Sequence, residues 1–344
     1  MRSLAALSLS SAAALLVVAC GSSPNPNVTG GSTTGSGAGG GTTGATATTT
    51  GEGGAGVTTS TTSTSSAGGD TGSGGDTGSG GDTGSGGSGG GACAPLPACD
   101  ALPPDPGPAQ DWNHTFESPL IVASGDPNHR GRDLFLNPGD PQWIIAKFAY
   151  GLIDKDLKEE KVDIWLLRNC GNAWEKLGNA TTTLDDQHAA VEGVDDSGGR
   201  VYFQIPAAKA LGLGRHRVRL VVQGDLSTTE LFIEVVPQGT AMFVTDVDGT
   251  LTDSENAEFG ALLTGSLPSV HPDAATAYQT LVSKGYRPMY LTARPEWLVG
   301  RTRELLTANG FPPGIVHTTV TLTGATGAAA SAFKSDGCRS HFAW

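Results

Sequence analysis

Two aspartates one residue apart carry the chemistry this sequence offers. They stand in Asp246-Val247-Asp248-Gly249-Thr250, directly after the apolar run 241–245. A buried strand would deliver both carboxylates at its C-terminal end, with Gly249 and Thr250 in a tight turn, where open α/β sheets place their ligand sites. At this spacing the first carboxylate can attack phosphorus while the second exchanges a proton with the leaving oxygen. An anionic nucleophile approaching a phosphate is repelled unless a cation neutralises both. The pattern therefore asks for a metal, and hard oxygen ligands with room for water favour Mg²⁺ on Asp246 and Asp248. A calcium loop is excluded. Counting from Asp246, Leu251 falls where an EF-hand needs glycine and Ala257 where it needs glutamate.

A second apolar run, Pro288-Met289-Tyr290-Leu291, ends in Thr292-Ala293-Arg294-Pro295. Thr292 is placed to donate to a phosphate oxygen, and Arg294 to add a charge-assisted contact. With Gly249 and Thr250, Arg294 completes the expected substrate-binding set. Around these runs, residues 274–283 and 296–308 have helical spacing; Leu298, Arg301, Leu305 and Ala308 share a face, and Gly310 supplies a stop. Gly314-Ile315-Val316-His317 reads as a further strand. Strand, helix, strand, helix, strand implies a parallel sheet with right-handed crossovers, hence an α/β domain over 238–344.

These two motifs, in this order and strand context, resemble the haloacid-dehalogenase-like phosphatases. More closely, residues 240–333 resemble the lipin-type phosphatidate phosphatase domain, also found at the C-terminus of some phosphatidylinositol transfer proteins. The resemblance implies Asp246 as nucleophile, Asp248 as acid/base, Thr292 as a phosphate ligand and Lys334 as the lysine that shields an aspartyl-phosphate. It also implies a fourth motif, an acidic pair after another strand. The ten residues after Lys334 contain no hydrophobic strand. The expectation is either a truncated or frameshifted enzyme, or a domain that binds phosphatidate-like lipid without hydrolysing it.

Upstream, residues 143–236 alternate with period two. Val162, Ile164 and Leu166 form one apolar set; Val201, Phe203 and Ile205, Val218, Leu220 and Val222, and Leu231, Ile233 and Val235 form three more. Such strands, bounded by turn residues, predict an antiparallel immunoglobulin-like β-sandwich over 112–237. No catalytic constellation occurs there. Arg215, Arg217 and Arg219 share a strand face, predicting a solvated basic stripe.

Composition sets the remaining bounds. Of 344 residues 51 are glycine, and no Phe, Trp or Tyr precedes Trp112. The stretch 20–111, with Gly-Gly-Asp-Thr-Gly-Ser three times between Gly68 and Ser85, lacks the apolar side chains that offset backbone ordering. Over 21–92 it predicts a flexible tether with a span of roughly 45–50 Å. Arg2 and the apolar stretch up to Ala19 read as a secretory signal over 1–19. Val17-Val18-Ala19-Cys20 resembles a bacterial lipobox, which implies acylation of Cys20 and a lipid anchor in the cell envelope, with Gly21 favouring the outer membrane. Cys93 and Cys99, with the five residues Ala-Pro-Leu-Pro-Ala between them, suggest a small disulfide loop, leaving Cys170 and Cys338 free. A formal charge of -13 excludes general nucleic-acid affinity. The combined expectation is an exported, membrane-tethered Mg²⁺-dependent phosphomonoesterase, with a phospholipid or other phosphate ester as its partner.

Overall fold

The computed structural model describes residues 96–254 and 266–342, with side chains given up to Gly337. The expected signal, Cys20, the tether and Cys93 lie outside the described residues. No described helix is long and apolar enough to cross a membrane.

After a short helix α1 (Glu117–Val122), the chain builds two sheets. One has the order β2-β10-β9-β6-β7, from β2 (Leu134–Leu136), β6 (Lys161–Leu167), β7 (Trp174–Thr181), β9 (Gly214–Val222) and β10 (Thr228–Val235). The other, β1-β3-β8, consists of β1 (Arg130–Gly131), β3 (Trp143–Lys147) and β8 (Arg200–Gln204). β4 (Ala149–Tyr150) and β5 (Lys155–Asp156) form a separate hairpin. Pairing is antiparallel except at β2–β10. The alternation decides which face is inside: Val162, Ile164, Leu166, Val218, Leu220, Val222, Leu231, Ile233 and Val235 all enter one core with Val201, Ile205 and Tyr150. This is a β-sandwich.

The third sheet is parallel, in the order β11-β12-β13: β11 (Met242–Asp246), β12 (Arg287–Pro295) and β13 (Ile315–Thr319). Helix α2 (Ala274–Ser283) connects the first two strands, and a 3-10 turn (Glu296–Leu298) running into α3 (Val299–Ala308) connects the next two. A final helix α4 (Gly327–Phe342) follows. Parallel strands need cover on both faces. On one face Tyr290 and Val316 pack with Leu305, Leu306 and Phe311, and α2 contributes Ala274, Ala275 and Tyr278. On the other, Met289, Leu291 and Ile315 meet Phe333 of α4 and, from the sandwich, Phe135, Phe232 and Val236. The sandwich thus occupies the place a helical layer would otherwise fill.

Buried charges cross this contact. Asp133 accepts from the Phe232 amide at 2.7 Å, the Val316 amide at 3.0 Å and Arg303 Nη2 at 2.7 Å. Arg215 pairs with Glu234 and donates from Nη2 to the Gly314 carbonyl at 3.2 Å. The solvated stripe expected of Arg215, Arg217 and Arg219 is therefore not what forms. Cross-strand glutamates take all three: Glu234 binds Arg215, and Glu230 accepts from Arg217 and Arg219 at 2.7 Å each. An arginine on a sheet reaches the residue opposite it more readily than bulk solvent.

The cysteine pairing also differs from expectation. Cys99 is bonded to Cys170, 71 residues away, rather than to Cys93, so Cys170 is not free. Arg217 Nη1 donates to the Cys99 and Ala101 carbonyls at 2.7 and 3.2 Å, and Trp174 Nε1 donates to the Leu102 carbonyl at 2.8 Å. These contacts dock the segment against the turn between β6 and β7, where Cys170 lies.

Candidate functional site

β11 ends on Asp246, and Gly249, with a positive φ of 74°, turns the chain back towards the sheet. Thr252, fully buried, closes this turn: its hydroxyl accepts from the Gly249 amide at 3.1 Å and donates to the Ser254 carbonyl at 3.0 Å. A short ladder then holds the chain, with the Asp253 amide donating to the Ser269 carbonyl and the His271 amide to the Leu251 carbonyl. Asp246 and Asp248 emerge at the C-terminal edge of the parallel sheet, as the apolar run and Gly-Thr predict.

Lys334 of α4 donates from Nζ to Asp246 Oδ2 at 2.5 Å, while Asp246 Oδ1 accepts from the Val247 amide at 2.9 Å. Burial pushes the Asp246 carboxyl above the usual carboxylate range. Lys334 opposes that shift, and the charge of Asp248 adds to it. A partly desolvated carboxylate beside one ammonium group is well suited to attack an electrophile, being held and only partly neutralised.

Asp248 is gripped from β12. Thr292 donates from Oγ1 to Asp248 Oδ2 at 2.7 Å, and Arg294 places Nε at 2.8 Å and Nη2 at 2.7 Å from Oδ1. The same Thr292 hydroxyl accepts from the Arg294 amide at 3.1 Å. Both side chains are buried, and Arg294 rests its Nη1 on Thr302 Oγ1 at 3.3 Å. Here both hold the second aspartate in place. The reason is reach: consecutive strands bring residues 248 and 292 side by side, and a buried guanidinium takes the nearest carboxylate.

Three positioning residues escaped the sequence reading. Thr302 supports Arg294 from α3; Thr319 donates from Oγ1 to the Arg294 carbonyl at 3.1 Å. Glu296 accepts from Arg130 Nε at 3.2 Å and Arg200 Nη2 at 2.8 Å, both from the sandwich. Only helical spacing marked Thr302, and nothing local marks a glutamate as the partner of arginines 96 and 166 residues upstream.

The donor set suits Mg²⁺. Asp246 and Asp248 offer hard oxygens, each with lone-pair capacity beyond the hydrogen bonds described. Among the described residues no cluster of three or more metal-ligating side chains forms.

A parallel sheet with paired aspartates at its C-terminal edge and a lysine against the first of them has the form of a haloacid-dehalogenase-like phosphatase fold. Comparison with known families narrows this. Residues 127–235 match the model described as PITM 1-3, beta-sandwich domain, and residues 243–335 match PITM 1-3, LNS2 domain. Membrane-associated phosphatidylinositol transfer protein 1 of Homo sapiens is 30% identical over 211 residues, 61% of this chain and 15% of that protein. Membrane-associated phosphatidylinositol transfer protein 3 of Homo sapiens is 29% identical over 190 residues, covering 55% and 18%. Protein retinal degeneration B of Drosophila melanogaster is 30% identical over 191 residues, covering 55% and 13%. The matches support a lipin- and PITM-type family for the two domains. The chain spans less than a fifth of the length of these relatives.

Proposed function

We propose that this chain is a lipin-type phosphomonoesterase acting on a phosphatidate-like lipid phosphate. One observation carries the reading: residues 246, 248, 292, 294 and 334, from two strands and the last helix, converge on a single carboxylate pair. Asp246 attacks phosphorus and forms an aspartyl-phosphate. The departing lipid hydroxyl takes its proton from Asp248, which then takes one from the water that hydrolyses the intermediate. Lys334 balances charge on the phosphorylated Asp246. Thr292 and Arg294 keep Asp248 aimed at the leaving oxygen. Mg²⁺ held by Asp246 and Asp248 would supply charge neutralisation between nucleophile and phosphate.

One sequence motif supports a membrane setting. The lipobox-like Val17-Val18-Ala19-Cys20 gives Cys20 as the acylated residue of an exported lipoprotein in the bacterial cell envelope, with Gly21 favouring the outer membrane. Labelled palmitate incorporated by the parent and lost in Cys20→Ser tests this.

A second reading is binding of the same lipid without hydrolysis. It is favoured by the engagement of both Asp248 oxygens by Thr292 and Arg294, and the relatives are named as transfer proteins. Phosphate release from phosphatidate in mixed micelles, with and without Mg²⁺, separates the two. Release that Asp246→Asn abolishes supports the enzyme; saturable binding of phosphatidate with no release supports the binder.

A further inference from the structure

The turn joining β4 to β5 exposes two consecutive large aliphatic side chains, Leu152 at 106% and Ile153 at 79% of full accessibility. The strand residues just before it, Ala149 and Tyr150, are fully buried. Nothing lets the tip fold back. Gly151 has φ +70°, and a Cβ there would lie 2.6 Å from the Ser124 carbonyl oxygen, so the turn is seated hard against the preceding loop. The Gly151 amide donates to the Asp126 carbonyl at 2.9 Å, and the Asp154 amide to the Gly151 carbonyl at 3.1 Å. Asp154, with φ 54°, is clamped by Arg130 through Nη1 and Nη2 at 2.5 and 2.7 Å, and by Asn128 Nδ2 at 2.9 Å.

The same Arg130 ties this turn to the parallel-sheet part of the chain. Its Nε and Nη2 each lie 3.2 Å from Glu296 Oε1, so one guanidinium spans Asp154 and the residue that follows β12. Glu296 is two positions beyond Arg294. On this C-terminal edge of the parallel sheet, Trp297 donates from Nε1 to the carbonyl of Leu322, whose side chain is 59% exposed. Beside the tip stands exposed Lys155, which enters no ion pair among the described residues.

We propose that Leu152 and Ile153 form a rigid wedge that inserts into a lipid bilayer at the edge of the phosphate site, with Lys155 meeting anionic headgroups. The proposal rests on the lipid-phosphate reading above and adds the surface through which the membrane is met. Two aliphatic side chains on one turn are far too little for a stable contact with a second protein copy, which needs about 800 Å² on each partner. They are enough for shallow insertion, where apolar burial and headgroup attraction add.

The test is co-sedimentation of the full chain carrying Cys20→Ser, so that no acyl group contributes. The vesicles are phosphatidylcholine with and without phosphatidate. Leu152→Glu with Ile153→Glu should weaken binding to both by about tenfold or more, because two apolar insertions are replaced by repelled charges. Leu152→Phe with Ile153→Phe should bind as well as the parent. Thermal midpoints of both variants should match the parent, since neither side chain packs inside. Unchanged vesicle binding by the folded Glu variant would overturn the wedge, as would a parent dimer that the Glu variant converts to monomer. Phosphate release is measured separately on the parent: none there would end the enzyme reading and leave the wedge judged by sedimentation alone.

Discussion

Lys334 Nζ stands 2.5 Å from Asp246 Oδ2 although 88 residues separate them, so the last helix supplies the charge that faces the first carboxylate. That pair makes the site sensitive to pH in a definite direction. Attack requires ionised Asp246, and burial holds its carboxyl above the usual range while Lys334 opposes this. Turnover should fall as pH drops through that raised value. Lys334→Gln removes the opposing charge, so the acid limb of the kcat/KM profile should move to higher pH. An acid limb that stayed in place or moved lower would contradict the pairing.

The same shift acts on stability with its own sign. The folded protein binds the Asp246 proton more tightly than the unfolded chain does. The stability this gives is present below the ordinary carboxylate pKa and lost as pH rises through the raised value. Asp246→Asn should therefore raise the thermal midpoint at neutral pH, with the gain shrinking in acid, while phosphate release disappears. A lowered midpoint at neutral pH would show that the Lys334 contact outweighs burial.

Arg294→Lys keeps a positive charge but loses the planar guanidinium that donates from Nε to Asp248 Oδ1 while resting Nη1 on Thr302 Oγ1. Misaiming of Asp248 should lower kcat by about tenfold or more, with KM changing less. Equal loss in KM and none in kcat would restore Arg294 to a direct substrate contact.

Glu296→Gln leaves Arg200 buried without its carboxylate, while Arg130 keeps Asp154. Removing one member of a buried pair costs about 3 kcal/mol or more. Denaturant unfolding should show that loss in a single transition shared by the sandwich and the parallel sheet. Two transitions, with only one displaced, would mean that the two parts fold independently.

Non-reducing peptide mapping should recover the peptide of Cys99 linked to that of Cys170, with Cys93 elsewhere. Loop-closure entropy for a separation of 71 residues is worth about 4 kcal/mol. Cys99→Ser should destabilise by an amount of that order, whereas Cys93→Ser should not.

Much of this architecture is written in local patterns. Val162, Ile164 and Leu166 alternate with polar neighbours and enter the core as alternation requires, and α2 spans Ala274–Ser283 as its spacing implies. Asp246 and Asp248 appear where an apolar run meets Gly-Thr. What local pattern does not encode is partnership. Cys93 is nearer to Cys99 in sequence, yet Cys99 is bonded to Cys170, because β6 and β7 bring the chain to that point. Arg215 reads as a solvated charge until β9 and β10 are put in register and Glu234 stands opposite it. Thr292 and Arg294 read as phosphate contacts, and only the closeness of β11 to β12 reveals that they also grip Asp248.

The Cys99–Cys170 bond also has a mechanical side. Tension applied through the residues before Cys99, against anything held at the C-terminal edge of the parallel sheet, crosses into the sandwich through a covalent link. The loop between the two cysteines, which contains β1 to β6, is short-circuited and carries none of that load. A pull from the N-terminal side therefore cannot peel the sandwich strand by strand from its first residue. Along the backbone it passes through β7 to β10, which lie between the bond and the site.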